Sequence, residues 1–189
     1  TEELPRNFKE ALVQNLPRHA FRDIHPQTNP EESIGWTNPF DQLDTNLSLE
    51  KVLFGKYIIL GMRKDKKSVQ PALFKARLSE AIRAQMRERN GRRLSREEIA
   101  GLKELVKEKM LNETSPTTNF YEMVWDYETQ EVYFSSQSTK ASIEFAELFE
   151  ETFGLPIEEQ NLVARAEHYI ADKGLDIELI DLEPSNFGM

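Results

Sequence analysis

Two stretches of helical periodicity, separated by one Asn-Gly turn, constrain the fold of this chain more than any other feature. Apolar residues recur at every fourth position from Phe74 to Met86, which is one face of an α-helix. Pro71 suits the first turn of that helix. Asn90 and Gly91 both tolerate the left-handed backbone that ends a helix. The sequence therefore predicts a helix that begins at Pro71 and ends at this turn.

A second helix is predicted to begin at Ser95. Glu98 lies three residues later, which is the spacing of a capping box. The apolar stripe then continues from Ile99 to Met110 with helical spacing. Because the connection is short, the two helices are predicted to pack as an antiparallel pair through their apolar stripes. Their outer faces are too charged to bury, so we expect the pair to protrude as an arm.

The remaining segments alternate between strand and helix patterns. Residues 56–62 form a short apolar run and residues 121–136 alternate around a polar turn, which predicts a buried strand and a β-hairpin. The segment 24–47 has no sustained period, so we expect it to be irregular and to hold Ile34, Trp36 and Phe40 against the core. Helices are predicted over residues 6–16, 142–153 and 162–173, and a closing strand over residues 176–182.

These elements predict an α+β fold, with a mainly antiparallel sheet, packed helices and a protruding antiparallel helical pair. The strand at 56–62 and the hairpin are expected in one sheet, covered on a face by the helices at 6–16 and 142–153. Residues 1–62 and 113–189 would form the body. Residues 63–112 would form a basic helical arm, with its tip at the Asn-Gly turn.

The positive charge of the chain is concentrated in this arm. From Arg63 to Lys109 there are 15 basic and 7 acidic residues, although the whole chain has a net charge of -9. A partner within about 8 to 10 Å senses mainly these local charges, because salt screens the rest. A polyanion would relieve the repulsion among them, whereas ion pairs along a solvated helix face are the alternative. Five arginines surround the turn itself: Arg87, Arg89, Arg92, Arg93 and Arg96.

Several classes of function lack the residues that they need. The chain has no cysteine, which excludes disulfides, thiol catalysis and cysteine-ligated metals. It has no glycine-rich phosphate loop, and its three histidines lack the spacing of a zinc pair. No apolar run approaches the length of a membrane span, so we expect a cytoplasmic protein without a membrane partner. The first residue is Thr1 rather than Met, which is compatible with a piece of a longer protein.

One group of carboxylates suggests an enzymatic alternative. Glu122, Asp126, Glu128 and Glu131 lie on the predicted hairpin, and clustered carboxylates can hold Mg²⁺ for phosphodiester cleavage. Hairpin turns also collect such residues for solvation alone. We therefore rank a metal-dependent nuclease last, and expect no catalytic residue, no metal and no cofactor.

The order of features along the chain resembles the recombination-associated protein RdgC family of bacteria. The landmarks are Gly35-Trp36 with Pro39, the strand running into Arg63-Lys64 with Lys67, and the charged helical pair. Further landmarks are Met123-Val-Trp125-Asp126, residues 135–141 and Phe153-Gly-Leu-Pro156. The resemblance covers residues 8–156, and none of these landmarks is a catalytic motif.

The resemblance implies a sequence-independent duplex-DNA-binding protein, associated with the nucleoid, that forms a ring-like homodimer and restrains a recombinase. It also implies a protruding helical tip, and the family carries the label of exonuclease as well. The alternative is a protein-interaction module whose basic arm docks an acidic surface, including that of its own body in an oligomer. The residues predicted to contact DNA phosphates are Lys64, Lys67, Lys75, Arg83, Arg87, Arg89, Arg92, Arg93 and Arg96.

Overall fold

The computed structural model describes residues 8–25, 31–160 and 162–175. The chain forms two compact units, Thr1–Gly154 and Leu155–Met189. The second unit contains helix α6 (Leu162–Asp172), which ends near Gly174, a residue with a left-handed φ of 59°. This helix matches the prediction. The strand predicted at 176–182 lies outside the described residues.

The first unit is built on a five-stranded sheet in which the described pairings between strands are antiparallel, which confirms the predicted α+β class. The order across the sheet is β1-β3-β4-β5, and β2 also pairs with β3. Its elements are α1 (Phe8–Asn15), β1 (Glu32–Thr37), α2 (Leu49–Val52), β2 (Leu53–Phe54), β3 (Tyr57–Lys66), α3 (Pro71–Glu88), α4 (Arg96–Glu113), β4 (Thr117–Asp126), β5 (Glu131–Phe134) and α5 (Thr139–Phe153).

One face of this sheet carries the hydrophobic core. Ile58, Leu60 and Met62 alternate along β3 and are fully buried. Their cross-strand neighbours on this face include Trp36 and Trp125, which are also buried. Each such side chain contributes about 1.5–3 kcal/mol when it leaves water. The predicted strand and hairpin therefore do share one sheet.

Helices α1 and α5 cover this face, as predicted. The ring centre of Trp125 lies 5.1 Å from that of Phe8 in α1 and 5.0 Å from that of Phe149 in α5. The indole Nε1 of Trp36 donates a hydrogen bond of 2.8 Å to Oγ1 of Thr152, so the buried polar group on this tryptophan is satisfied. The two helices thus fix the core through aromatic contacts.

The segment 24–47 departs from the prediction, because it contains strand β1. This strand pairs with β3, a long-range partner that local periodicity does not reveal. Gly35 is needed there, since a Cβ would lie 2.6 Å from the backbone N of Phe21. Trp36 enters the core as expected, whereas Phe40 is 77% exposed and packs against the ring of Phe54 instead. Ile34 is also exposed, at 36%.

The opposite face, called the open face below, is not covered by α1 and α5. Near β1 it holds a buried ion pair, in which Nε and Nη2 of Arg63 donate to the two carboxylate oxygens of Asp65 at 3.0 and 2.6 Å. Oγ1 of Thr118 donates to Asp65 at 2.7 Å. Burial alone would raise the pKa of Asp65, but the hydrogen bonds from Arg63 and Thr118 bring that pKa below its usual value. The guanidinium of Arg63 also lies 4.1 Å from the ring centre of Phe21.

Asp65→Ala should lower the free energy of unfolding by about 3 kcal/mol, because it leaves the Arg63 guanidinium in a poorly hydrated site without its carboxylate. Denaturant unfolding measures this difference. Glu50→Ala, which removes an exposed carboxylate, is the control and should change stability by no more than about 0.5 kcal/mol.

The cost of Asp65→Ala should depend on pH. An aspartate in the unfolded chain has a pKa of about 3.9, and the pKa in the folded chain is lower. The stabilisation is therefore complete above about pH 4 and disappears as the pH falls through the folded-state pKa. A difference between the two proteins that grows on acidification would contradict this assignment.

Candidate nucleic-acid interface

Helices α3 and α4 form the helical pair that the sequence predicts, and this pair is the arm. Residues 63–66, which the prediction placed in the arm, belong to strand β3 instead, because they pair with β1 and β4. Each helix has 18 residues, so the arm is about 27 Å long. It leaves the sheet after Lys66 at the end of β3 and returns at Thr117, the start of β4. No residue of α3 is buried, and in α4 only Met110 and Leu111, at the base, are buried. The arm is therefore a solvent-exposed pair of helices that is held mainly at one end.

The turn at the tip has the predicted caps. Asn90 and Gly91 take left-handed φ angles of 54° and 83°, and the Gly91 N–H donates to the Met86 carbonyl at 2.8 Å. Ser95 and Glu98 form a reciprocal capping box at the start of α4. The tip is thus a defined turn, and its arginines project from a fixed backbone.

The five arginines at this turn are all exposed. Arg89 donates through Nη1 to Oε1 of Glu98. The backbone N–H of Ser95 and then this arginine hold the pKa of Glu98 below its usual range. Among the described residues, none of the others is paired with a carboxylate: Arg87, Arg92, Arg93 and Arg96. Of the two explanations for the charge, internal neutralisation thus applies to only one arginine of this group.

Contacts at the base of the arm fix its direction, and the sequence did not reveal them. Lys67 donates from Nζ to the Leu111 carbonyl at 3.0 Å, which satisfies an acceptor at the end of α4. Lys107 pairs with Glu31, and its pKa is raised by that hydrogen bond. Arg77 of α3 pairs with Glu113 of α4. Glu31 and Lys107 are 76 residues apart, so nothing local in the sequence connects them.

The predicted phosphate-binding residues fall into different environments. Lys75 and Arg83 are exposed along α3, in addition to the arginines of the tip. Lys67 is half-buried and engaged at the base of the arm. Lys64 lies on the core face of β3, is only 7% exposed, and pairs with Glu144 of α5 and, at 3.7 Å, with Glu32. Because its ammonium is buried and paired with two carboxylates of the body, we leave Lys64 out of the interface.

The carboxylates of the hairpin serve several separate purposes. Asp126 accepts hydrogen bonds from the backbone N–H groups of Glu128 and Thr129 and pairs with Lys56 at 2.6 Å. The hydrogen bond from Lys56 is the main reason that the pKa of Asp126 lies below its usual value. Glu131 accepts a hydrogen bond from the Tyr133 hydroxyl. Within the described ranges, no three His, Asp or Glu side chains come together as a metal site.

Comparison with known families identifies the chain. The family model described as "Putative exonuclease, RdgC" matches residues 3–172 of the 189-residue chain. The chain belongs to the RdgC family. No curated protein matched the sequence. This RdgC-family chain has, in its described part, no helix that is long and apolar enough to cross a membrane.

For this RdgC-family chain, Lys64→Met should lower the free energy of unfolding by about 1–3 kcal/mol, because the partly buried carboxylate of Glu144 loses its closest cation. Thermal or denaturant unfolding provides the measurement. Lys66→Met is a matched control on the same strand and at an exposed position, so it should change stability by no more than about 0.5 kcal/mol. Equal effects of the two substitutions would show that Lys64 is not held in the pair.

Proposed function

We propose that the chain is a non-catalytic, sequence-independent duplex-DNA-binding protein that contacts backbone phosphates through the tip of its arm. The observation that carries the proposal is the group of four arginines, exposed at one turn and not paired with any described carboxylate. Membership of the RdgC family supports a DNA-associated role related to recombination. The proposal leaves cleavage out, because Asp126 of the hairpin already has a cation and two backbone donors as partners.

Phosphate is the partner that best fits this group. A guanidinium presents a planar fork of donors that matches two phosphate oxygens, and binding releases the counterions condensed on the duplex. Contacts of this kind fix position on the duplex without reading its sequence. The proposed primary contacts are Arg87, Arg92, Arg93 and Arg96. The positive electrostatic field around these contacts is increased by Lys75, Arg83, Arg89 and Lys67. Arg89 and Lys67 contribute while they form hydrogen bonds of their own.

The proposal extends to the assembly and location of the protein. The family resemblance supports a homodimer, and two arms would bring two such arginine groups to one duplex. It also supports a recombinase as a protein partner and a location in the nucleoid. The bound chain would limit the access of that recombinase to the same duplex. The affinity of a dimer for DNA would fall more steeply with salt than the affinity of a single arm, because the number of neutralised phosphates would double.

A salt series of binding to a duplex of arbitrary sequence tests the proposal. Arg92→Ala with Arg93→Ala should flatten the slope of log affinity against log salt by about 1.8 for each protomer bound, because each neutralised phosphate contributes about 0.9. The matched control is Arg165→Ala with Lys173→Ala, which removes the same charge from exposed positions outside the arm. The control variant should have the same slope as the wild type.

Three results would overturn the proposed function. An unchanged slope in the arm variant would remove the tip from the DNA interface, and equal flattening by the arm and control variants would leave only a net-charge effect. Magnesium-dependent cleavage of linear duplex that Asp126→Asn abolishes would show that the chain is an enzyme. Duplexes of unrelated sequence should bind alike, since contacts to backbone phosphates do not read the sequence.

A further inference from the structure

The open face of the sheet carries a partly exposed apolar row. Val124 of β4 lies opposite Ile59 on one side and Tyr133 on the other, so three strands contribute to the row. Tyr133, on the edge strand β5, is 60% exposed. Next to the row, Tyr57 pairs with Phe54 of β2, and both are partly exposed. These side chains, with Phe40 packed on Phe54, form a surface rich in aromatic rings, which we call the aromatic patch.

Two carboxylates flank this patch. Glu122 lies two residues before Val124 on β4, and Glu131 lies two residues before Tyr133 on β5. Because β4 and β5 are antiparallel, the two carboxylates lie beyond opposite ends of the Val124–Tyr133 pair, each about 7 Å along its strand. Neither forms an ion pair with a described residue. Exposed aromatic rings on a sheet could stack nucleic-acid bases, but these carboxylates would repel the phosphates.

Two cations of the chain itself are bound on this face, and their partners show which side chains hold a cation there. The guanidinium of Arg63 lies over the ring of Phe21 and binds the carboxylate of Asp65. The ammonium of Lys56 lies 5.1 Å from the ring centre of Tyr57 and pairs with Asp126. Both cations combine an aromatic face with a carboxylate. Glu122, Glu131 and the aromatic patch offer the same combination to a cation from outside.

We infer that the open face is a receptor for an arginine-rich segment and that its occupant is the arginine turn, residues 87–96, of a second copy of the chain. Arginine is suited to both parts of the receptor, because its guanidinium stacks on aromatic rings and bonds carboxylates bidentately. The turn supplies arginines that are exposed and not paired with a described carboxylate, and the face supplies carboxylates that have no cation partner among the described residues. The two surfaces on one chain are therefore complementary in charge and chemistry.

The position of the patch indicates a second copy rather than the chain's own arm. The arm leaves the sheet at the Lys66 end of β3, whereas the patch lies at the Tyr57 end, about 30 Å away along the strand. The described bonds between the arm and the body are at the arm's base. An arm held in this direction leaves the patch of its own protomer accessible to another molecule.

This contact would give the arginine turn a second ligand. The residues that the proposed function assigns to phosphate would be covered by the open face of another copy, so this contact and DNA binding would compete. A homodimer that brings both arms to one duplex would therefore form through other surfaces. The inference extends the proposed function, but its test needs no DNA. A failure of DNA binding would leave the protein–protein contact untouched, and the reverse also holds.

Charge reversal on each surface, read by light scattering and analytical ultracentrifugation at low salt, tests the contact. The face variant carries Glu122→Lys with Glu131→Lys, and the arm variant carries Arg92→Glu with Arg93→Glu. Each variant alone should weaken self-association by at least about tenfold, because like charges then meet. An equimolar mixture of the two variants should regain the wild-type mass, and so should one chain with all four substitutions. Circular dichroism of each variant verifies the fold, since the four positions are exposed.

Other outcomes would overturn the inference. A wild-type chain that stays monomeric at every concentration would show that a second copy is not the occupant. A face variant with wild-type mass, beside an arm variant that dissociates, would show that arms meet arms and not faces. Failure of both the mixture and the fourfold variant to regain mass would exclude charge pairing between these two surfaces.

Discussion

Strand β3 is paired on both of its sides, and the rest of the first unit depends on that arrangement. β4 pairs with it from Tyr57 to Lys66, while β1 and β2 share its other side. Its alternation sends Ile58, Leu60 and Met62 into the core and Arg63 and Asp65 to the open face. The same strand delivers the chain to the arm at one end. Core, open face and arm are therefore positioned by one element.

The arm obtains its order from its ends rather than from a core of its own. Helix α3 buries none of its residues, so packing alone stabilises the arm only modestly. The capping box of Ser95 and Glu98 orders the tip, and the bonds of Lys67 and Lys107 order the base. An arm built in this way can hold a dense group of like charges, because nothing apolar has to be buried beside them. The tip is thus available to a partner that supplies the missing negative charge.

Local features of the structure could be read from the sequence, whereas features made by distant partners could not. The helical pair, its Asn90-Gly91 turn and the capping box depend on residues a few positions apart, and all three were predicted. Strand β1 was not, because its order comes from pairing with β3. The burial of Lys64 was missed for the same reason, since its partner Glu144 is 80 residues away. Charge density located the candidate site, but only the structure separated exposed cations from those already paired.

The central claim is that the arginine turn, and not the sheet, meets DNA, and side-chain NMR tests it most directly. In a titration of the ¹⁵N-labelled chain with a short duplex, at a protein concentration at which light scattering shows a monomer, the Nε–Hε signals of Arg92 and Arg93 should shift first and most. The signal of Arg63, which is held by Asp65, and the amides of β4 and β5 should stay in place. The account would be contradicted if the largest shifts occurred at Val124, Tyr133 and their neighbours on the open face while the tip signals stayed unchanged.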